Sequence, residues 1–356
     1  MADTPVPRRR RKIRPTITDV AAAAQVSVAT ISRFLNMPER VSQALGERIA
    51  DALRQTGFRR RSPLPASFTH SSAVLSTTIP TTPRLLAVLT LGTLTARMMM
   101  DMPVFPWLFS GVKRVTDATR GTLVYAHYDG TGPLPALLAD RSVDGLLVLG
   151  RLPHMPPALR QALLIRPSVW MMREHSDPAC SIDRVFYDNA LVGRYAADYL
   201  LGQGQGRLAF VNDTPTHSAF AQRRECFLDA VRERGGRAHA YEVGVGAITD
   251  LRHALQVALA GAEPLQGIFL PSDNQLFLAA QLLPQLGSTP ERSLRLIGCN
   301  NDAALLARLS PRPASIDLHL DLIGERAVNQ LLDRIAQPAS PLMQLFVTPT
   351  VVPPHP

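Results

Sequence analysis

Residues 16–58 read TITDVAAAAQVSVATISRFLNMPERVSQALGERIADALRQTGF and decide how the rest of the chain is interpreted. The stretch predicts three short helices joined by two tight connections. Thr16 and Ser27 stand where the first and second helices would begin, and hydroxyl side chains at such positions accept hydrogen bonds from the free N–H groups of the first turn. The second helix is expected over 28–35 and the third over 42–57, where a glycine provides the stop.

Apolar residues in this stretch recur at helical spacing, so the three helices can close one small core. Two short helices joined by a turn of three or four residues form a helix-turn-helix, and the second helix of that motif enters the major groove of DNA. The predicted core consists of Val20, Ala23, Ala24, Ile31, Leu35, Leu45, Ile49, Ala52 and Leu53.

The second helix carries side chains that suit contact with a duplex. Hydroxyl and amide groups bond phosphate oxygens and fix the register of a protein on DNA. Val28 and Ala29 could read a base only through apolar contact, such as with a thymine methyl group, whereas Arg33 is long enough to reach O6 and N7 of guanine with two hydrogen bonds. A three-helix cap with solvated polar faces is the alternative. The predicted DNA-contacting residues are Thr16, Ser27, Val28, Ala29, Thr30, Ser32, Arg33 and Asn36.

The segments DVA, VSVATISR, LN, RVS and GF, at the spacing they have here, resemble the DNA-binding headpiece of the LacI/GalR family of bacterial transcription regulators. The resemblance implies a helix-turn-helix DNA-binding domain over 16–61. It also implies a homodimer that places two recognition helices on a pseudo-palindromic operator.

The positive charge of the chain is concentrated around this stretch. The net charge is +9 at pH 7, and residues 1–61 supply +8 of it, since they hold thirteen Lys and Arg against five Asp and Glu. Such an asymmetry is typical of a surface that binds a polyanion, most simply the phosphate backbone of double-stranded DNA. A membrane surface is the competing partner, but no lipidation signal or amphipathic apolar face accompanies the charge.

The segments on either side of the headpiece are not expected to be compactly folded. Residues 1–15 predict a disordered basic tail that lies along phosphates or in a minor groove, or else is merely solvated. Residues 62–83 are rich in Ser, Thr and Pro and predict a linker. The resemblance implies a hinge helix here, with Leu64 or Phe68 as an apolar wedge in the minor groove. The prolines and the missing leucine pattern leave an unstructured tether as the alternative.

Residues 84–356 alternate between apolar runs and helical segments. Near-continuous apolar strands separated by helices indicate an α/β fold with parallel sheets covered on both faces, and the length favours two subdomains. The resemblance implies a two-lobed effector domain of the type I periplasmic-binding-protein kind, with crossings between lobes near 184–189, 313–317 and 337–342. Strands are expected at 85–90, 122–128, 144–150, 168–172, 207–212, 267–272 and 294–299, and helices at 107–119, 189–201, 222–234 and 274–286.

Ligands of open α/β sheets bind beyond the carboxyl ends of the strands, which here means the cleft between lobes. On the family's pattern, Phe105 or Trp107 could stack on a ligand ring, while Met102 replaces an asparagine. Asp188 belongs to the Asp-Asn pair that opens the second lobe. Basic residues at predicted strand ends or loops, which would add positive character to the cleft, are Arg173, His127 and His217.

The resemblance also implies a pair of charged residues in the effector site. Arg223 takes the place of the family's effector-binding arginine, although the adjacent Arg224 leaves the assignment ambiguous by one residue. Asp273 takes the place of the family's aspartate, with Ser272 in place of the preceding asparagine. An arginine and an aspartate that face each other across a cleft suit the hydroxyl or carboxylate groups of a small polyol. A surface ion pair is the alternative.

Several classes of protein lack support in the sequence. No run of about 18 apolar residues predicts a transmembrane helix, and the basic N-terminus lacks the apolar region of a secretory signal. Cys180, Cys226 and Cys299 form no metal-binding or disulfide spacing. No Walker A, GxSxG or HExxH sequence is present. We therefore predict a cytoplasmic protein that is not an enzyme and needs no metal or cofactor.

The prediction with most support is a sequence-specific DNA-binding transcription regulator, more often a repressor in the resembled family. It would act as a homodimer or higher oligomer, and a small-molecule effector (a sugar, sugar acid or related metabolite) would control its affinity for the operator. One alternative is a solute-binding or enzymatic α/β protein with a nonspecific basic tail. Another keeps DNA binding without ligand control, because cleft positions are substituted.

Overall fold

The computed structural model describes residues 17–27, 30–31, 34, 43–56, 83–102, 104–139, 142–172, 180–202, 206–244, 248–261, 263–287 and 294–354. Contacts divide the chain into two compact units, Met1–Thr78 and Ile79–Pro356. Each unit is described by itself.

The first unit contains helices α1 (Ile17–Ala24) and α2 (Gln43–Thr56), and Thr30, Ile31 and Phe34 between them are also helical. Among the predicted core residues, Ala23 is exposed and Leu45 and Leu53 are partly buried, while the others that the structure describes are buried. Ala21 and Phe34 are also buried, although neither was predicted. At 100° per residue, Val20, Ala21 and Ala24 share one face of α1 and Ala23 lies off it. Leu35 lies outside the described residues. The buried core consists of Val20, Ala21, Ala24, Ile31, Phe34, Ile49 and Ala52.

The second unit alternates strands and helices, as the apolar pattern predicts. Its elements in chain order are β1 (Leu85–Leu91), α3 (Ala96–Asp101), α4 (Val104–Ala118), β2 (Thr122–Tyr128), α5 (Ala136–Ala139), β3 (Gly145–Gly150), α6 (Pro157–Leu164), β4 (Ser168–Met171), β5 (Asp183–Tyr187), α7 (Asn189–Leu201), β6 (Arg207–Asn212), α8 (Ser218–Glu233), β7 (Arg237–Glu242), α9 (Ile248–Leu259), β8 (Leu265–Phe269), α10 (Asp273–Leu282), a 3-10 turn (Pro284–Leu286), β9 (Arg295–Cys299), α11 (Ala303–Leu306), β10 (Ala314–Asp317), α12 (Leu320–Ala336), β11 (Gln344–Val347) and β12 (Thr350–Val352).

These strands form two six-stranded sheets, one in each lobe. Lobe 1 has the order β11-β5-β4-β3-β1-β2, with every neighbouring pair parallel. Lobe 2 has the order β12-β10-β9-β8-β6-β7, which is parallel except for the antiparallel pair of β10 and β12. Central strands such as β6 are buried along their whole length, as parallel sheets covered by helices require.

The chain passes between the lobes three times. The first crossing is at Asp188, within the predicted range, and the second is at 318–319, immediately beyond it. The third prediction, near 337–342, is wrong: β11 still belongs to lobe 1 and β12 to lobe 2, so the crossing is at 348–349. The second and third crossings lie side by side, with Nε2 of His319 3.0 Å from Oγ1 of Thr350.

Each lobe contains two helices that touch through glycine. In lobe 1, a Cβ at Gly111 would lie 1.8 Å from the carbonyl oxygen of Asp321, and one at Gly324 would lie 2.1 Å from that of Leu108. These positions bring the backbones of α4 and α12 into direct contact. In lobe 2, a Cβ at Gly193 of α7 would lie 2.4 Å from the carbonyl oxygen of Arg223 on α8. No side chain separates the helices at either place.

A buried ion pair fixes the C-terminal end of α12 to the sheet of lobe 1. Oδ2 of Asp183 accepts a hydrogen bond from Nε of Arg334 at 2.9 Å, and Oδ1 accepts one from Nη2 at 2.9 Å. Gln330 and the backbone N–H of Met343 donate to the same carboxylate at 3.0 and 2.7 Å. Four donors therefore hold α12 and the start of β11 against β5.

Candidate functional sites

The turn between α1 and the following helical residues has the geometry of a helix-turn-helix. Gln25 is left-handed, with φ of 54°, and the N–H of Val26 donates to the carbonyl of Ala21 at 3.0 Å. Ser27 then caps the next helix, since its Oγ accepts from the N–H of Thr30 at 3.1 Å. The hydroxyls of Ser27 and Thr30 are 2.8 Å apart. The predicted cap at Ser27 is confirmed.

α2 holds this turn in place from the other side. Nη2 of Arg48 donates to the carbonyl of Ala24 at 2.9 Å, so it satisfies an acceptor at the end of α1. A Cβ at Gly46 would lie 3.2 Å from the ring of Phe34, so a small residue lets the buried ring approach the helix closely. These contacts fix the helical residues around Thr30 against the rest of the headpiece.

The DNA-contacting residues can be located only in part. Ser27 is exposed and Thr30 is half-buried at the start of the second helix, where phosphate-contacting hydroxyls are expected. The remaining predicted contacts lie outside the described residues: Thr16, Val28, Ala29, Ser32, Arg33 and Asn36 in the headpiece, and Leu64 and Phe68 in the linker.

Arg223 lies at the junction of the two lobes and contacts both. Its side chain is 2% exposed. Nε donates to Oδ1 of Asn189 at 2.9 Å and Nη1 to the carbonyl of Pro271 at 2.5 Å, while Nη2 is 3.4 Å from the hydroxyl of Tyr187, the last residue of lobe 1 before the first crossing. The guanidinium also lies over the ring of Phe220, 5.5 Å from its centroid. The guanidinium of Arg223 is therefore buried in contact with residues of both lobes.

Arg223 and Arg224, the two arginines between which the sequence leaves the effector-binding position ambiguous, have different partners. Arg224 forms an ion pair with Glu242 at the end of β7, and the hydrogen bond from that pair raises the pKa of the guanidinium. Its charge is therefore compensated within lobe 2. The arginine at the lobe junction is Arg223.

His217 and Phe220 extend the surface around Arg223 along the first turns of α8. Their rings stack with centroids 4.2 Å apart. His217 is exposed at the surface, yet the protein atoms around its imidazole still desolvate the ring. The positive charges of Arg223 and Arg151 also disfavour its protonated form. Together they lower the pKa of His217 to about 4, so the ring is neutral at pH 7. We call Arg151, Tyr187, Asn189, His217, Phe220 and Arg223 the interlobe cluster.

Asp188 and Asp273 have structural partners within lobe 2. Oδ1 of Asp188 accepts from the N–H groups of Ala190 and Leu191 at 2.7 and 3.0 Å, which caps α7. Asp273 is 1% exposed, and its two oxygens accept from Oγ of Ser315 at 2.7 Å and from the N–H of Asp302 at 2.8 Å. Burial raises the pKa of Asp273 to about 6, against the lowering effect of these bonds.

Two expectations about the cleft are corrected here. Asp273 does not face Arg223 across the cleft, because both residues belong to lobe 2 and Asp273 lies beneath the surface. Phe105 is 5% exposed and packs in the core beside Phe109, so its ring is not offered to a ligand. The α4 helix begins at Val104, and its first turn directs the ring inward.

The other sequence-predicted positions are placed as follows. Ser272 caps α10 by accepting from the N–H of Gln275 at 3.3 Å. Nδ1 of His127 lies 2.9 Å from Oγ1 of Thr90, within lobe 1. Trp107 is 45% exposed on α4. Arg173 lies outside the described residues.

Sequence reasoning missed Arg151 and Phe220. Arg151 directly follows a predicted strand, so the rule that ligands bind beyond the carboxyl ends of strands could have found it. Phe220 precedes Arg223 by three residues and therefore shares its helix face.

Two family models match this chain. The model of bacterial regulatory proteins of the lacI family matches residues 16–61, and a periplasmic binding protein-like domain matches residues 197–354. The chain is 25% identical over 345 residues to the ribose operon repressor of Escherichia coli (strain K12), covering 95% of this chain and 98% of the relative. It is 26% identical over 340 residues to the HTH-type transcriptional regulator GntR of the same strain, covering 91% and 93%.

Solved structures show the same fold. A complex of the transcriptional regulator CelR with cellobiose aligns over 96% of this chain and 99% of its own, with a TM-score of 0.63 and 21% identity. A LacI family regulator from Enterococcus faecium with bound ribose aligns over 76% and 98%, with a TM-score of 0.62 and 19% identity. Among the described residues, no helix is long and apolar enough to span a membrane. The chain belongs to the LacI family of bacterial transcription regulators and joins a LacI-type helix-turn-helix domain to a periplasmic-binding-protein-like domain.

Proposed function

We propose that this regulator represses transcription from an operator bound by two headpieces, and that a sugar or sugar acid bound between the lobes changes its affinity for that operator. The observation that carries the proposal is Arg223, a buried cation that contacts the first crossing from lobe 2. In this proposal the tail is 1–15, the DNA-binding domain 16–61, the linker 62–83 and the effector domain 84–356.

The buried arginine gives a ligand a way to bias two states of the protein. A ligand shifts a conformational equilibrium only by its difference in affinity for the two states. A hydroxyl or carboxylate that bonds Arg223 competes with the contacts to Tyr187 and Asn189, both of which adjoin the first crossing. Ligand binding and the lobe arrangement are thereby coupled, and DNA affinity responds through the same linkage.

The names of similar proteins support a sugar as the effector. One relative is a ribose operon repressor, and two similar structures hold cellobiose and ribose. Polar side chains in a cleft and an aromatic ring such as Phe220 suit ligands that have both hydroxyl groups and apolar ring faces.

Operator binding with and without sugars tests this function. The full chain is used to select a DNA site from random duplexes, and mobility shifts then measure its affinity with ribose, glucose and gluconate present. The proposal requires a selected site and at least one ligand that changes the affinity. Absence of any preferred site counts against DNA regulation, whereas an affinity that no sugar or sugar acid alters counts against the proposed effector.

We predict that Arg33→Ala abolishes preference between the selected operator and random DNA while nonspecific binding remains. Arginine reads guanine through two hydrogen bonds, each such pair being worth about 1–3 kcal/mol of discrimination. Competition mobility shifts measure the ratio of the two affinities. Arg232→Ala, at an exposed residue of α8, is the matched control and keeps the preference. If the Arg33→Ala protein keeps its preference for the operator, another residue reads the bases.

We also propose that the sheet edges farthest from the crossings form the dimer contact. Strands β2 and β7 end the two sheets on the side opposite the crossing strands. Trp107 on α4 and Tyr125 on β2 are exposed in lobe 1, and Ile248 and Val257 on α9 are exposed in lobe 2. α4 contacts β2 and α9 contacts β7, so both lobes present large apolar side chains on this side.

Trp107→Glu is accordingly predicted to weaken dimerisation at least about tenfold, since a buried unpaired charge at an interface costs well over 1.4 kcal/mol. Sedimentation equilibrium measures the dissociation constant. Leu342→Glu is the matched control, because Leu342 is similarly exposed beside the opposite sheet edge. Equal dissociation constants for the two variants would place the dimer contact elsewhere.

A further inference from the structure

A cavity lies beside β11, the last strand at one edge of the lobe 1 sheet. Its volume is about 490 Å³, which is within the range of small-molecule binding sites. α12 and the residue before it provide one wall, β11 provides the other, and none of the lining residues belongs to the interlobe cluster. The cavity brings together His319, Leu322, Arg326, Leu345, Phe346 and Thr348.

The wall formed by α12 carries an uncompensated positive charge. His319, Leu322 and Arg326 are spaced by three and four residues and so lie on one face of the helix. Arg326 is exposed and forms no ion pair with a carboxylate in the part of the chain that the structure describes. The two acidic residues in the first two turns of α12 both pair with Arg114 instead. The guanidinium of Arg326 is therefore available to a ligand in the cavity.

The wall formed by β11 is apolar and has backbone groups that face outward. Phe346 is 44% exposed, and its ring meets that of Phe186 with centroids 6.0 Å apart. The carbonyl of Met343 accepts from the N–H of Arg184, the second residue of β5, at 3.0 Å. Because the backbone groups of successive strand residues point to opposite sides, the N–H and carbonyl of Phe346 point away from β5. This wall offers a ligand an aromatic ring and a hydrogen-bond donor.

The second and third crossings between the lobes both contribute to the cavity. His319 belongs to the second crossing and Thr348 to the third. His319 has a left-handed backbone, with φ of 53°, and its N–H donates to Oδ1 of Asp317 at 2.7 Å. Its Nε2 is 3.0 Å from Oγ1 of Thr350, which lies just beyond the third crossing. A molecule in the cavity therefore contacts two crossings at once.

We infer that this cavity binds a small carboxylic acid with an apolar body, at a site separate from the cleft. The carboxylate makes charge-assisted hydrogen bonds with Arg326. The body covers Phe346 and Leu322, where removal of apolar surface from water stabilises the complex. An added peptide strand fits this edge less well, because β11 is four residues long, Pro349 follows it closely and α12 closes its side. The edge is opposite the proposed dimer contact, so a dimer leaves it accessible.

The effect of this ligand on DNA binding rests on the proposed function. A ligand that bonds Arg326 in lobe 1 and contacts two crossings has different affinities for different arrangements of the lobes. It shifts the equilibrium between those arrangements by that difference. An acid in this cavity and a sugar in the cleft then act on the same equilibrium from two separate sites.

Matched acids and amides test the site. Titration calorimetry on the full chain compares indole-3-acetate with indole-3-acetamide, and octanoate with octanamide, so that each pair shares an apolar body and differs in charge. At least one acid is expected to bind at least about tenfold more tightly than its amide. Its affinity is expected to fall as salt is added, because Arg326 is exposed. Dissociation constants above about 10 mM for both acids, or amides that bind as tightly as the acids, would overturn the inference.

Two pairs of variants locate the bound acid. Arg326→Gln is expected to weaken the acid about tenfold or more and leave the amide unchanged, whereas Arg232→Gln, at an exposed arginine of α8, changes neither. Phe346→Ala is expected to weaken acid and amide alike, whereas Leu342→Ala, at a similarly exposed residue outside the cavity, changes neither. Melting curves without ligand show that each variant is folded, as expected for replacements at the surface. Equal effects within either pair would place the acid elsewhere and overturn the inference.

Mobility shifts separate this inference from the proposed function. The acid is expected to change the operator affinity of the parent protein and not that of Arg326→Gln. If a sugar alters operator affinity while neither acid binds, the proposed function stands and the inference fails. If the acids bind with the expected variant pattern while no ligand, sugars included, alters operator affinity, the site stands and the proposed function fails. A bound acid that leaves operator affinity unchanged while a sugar alters it would overturn only the control of DNA binding from this cavity.

Discussion

Gly324→Ala is expected to lower the free energy of unfolding by about 2–3 kcal/mol, near the upper end of the usual cost of overpacking. The added methyl would lie 2.1 Å from the carbonyl oxygen of Leu108 and 2.8 Å from the N of Val112. Both are backbone atoms, so relief requires α4 and α12 to separate. Alanine recovers up to about 1 kcal/mol through helix propensity, which is less than the clash costs.

Denaturant unfolding followed by circular dichroism measures the change. Gly202→Ala is the matched control, because Gly202 is exposed at the end of α7, has an ordinary helical φ of −60°, and would place its Cβ no closer than 3.0 Å to another atom. The control is expected to shift the midpoint little. A Gly324→Ala protein as stable as the control would mean that the two helices have room to move apart.

Asp183→Asn is expected to cost about 3–5 kcal/mol at pH 7, because it leaves the charge of Arg334 buried without its counter-ion. Asp183 is 1% exposed and Arg334 is 9% exposed. An asparagine side chain has one acceptor oxygen and cannot take the paired bonds from Nε and Nη2. The lost contacts include those that hold Gln330 and the start of β11.

The loss of unfolding free energy caused by Asp183→Asn should become smaller at low pH. Burial by itself would raise the pKa of Asp183, but the hydrogen bonds from Arg334, Met343 and Gln330 outweigh it and hold the pKa below the ordinary value of 3.8. A depressed carboxyl pKa stabilises the folded state above the unfolded pKa, and that contribution is lost as pH falls through the folded value. The difference between parent and variant should therefore be full at pH 7 and shrink below about pH 4.

Urea unfolding at several pH values measures this difference. Asp117→Asn is the matched control, since Asp117 pairs with Lys113 on the exposed face of α4 at 2.6 Å, where such a pair contributes about 0.3–0.5 kcal/mol. A cost at pH 3 equal to that at pH 7 would show that the bonds, and not the charge of Asp183, hold the end of α12.

The apolar runs predicted the parallel strands well because those strands are buried on both faces. The strands predicted at 122–128 and 207–212 coincide at both ends with β2 and β6. Five strands are absent from the prediction: β5, β7, β10, β11 and β12. RAHAYE in β7 lies half-exposed at a sheet edge, and the other four strands are only three to five residues long. Such strands are defined by the partner they pair with, and a single segment does not carry that information.

The charged residues of the cleft were harder to predict for a related reason. Their residue types were found, but their partners were not: Asp273 is tied to Ser315, 42 residues later in the chain, and Arg223 to Asn189, 34 residues earlier. The crossings predicted near 184–189 and 313–317 already put both residues in lobe 2, so the facing arrangement could have been excluded from the sequence, whereas the partners of each residue could not be predicted. The headpiece posed no such difficulty, because its helices pack against near neighbours in the chain.

The close backbone contact at Gly193 joins α7 and α8 into one rigid pair of helices. α7 begins at Asn189, one residue beyond the first crossing, and its Gly193 meets the carbonyl of Arg223 with no side chain between them. An interface of flexible side chains would adjust to a rotation of the chain at Asp188, whereas direct backbone contact passes that rotation from α7 to α8. Under the proposed function, a ligand that binds Arg223 and a rotation at the first crossing would therefore act on the same rigid pair of helices.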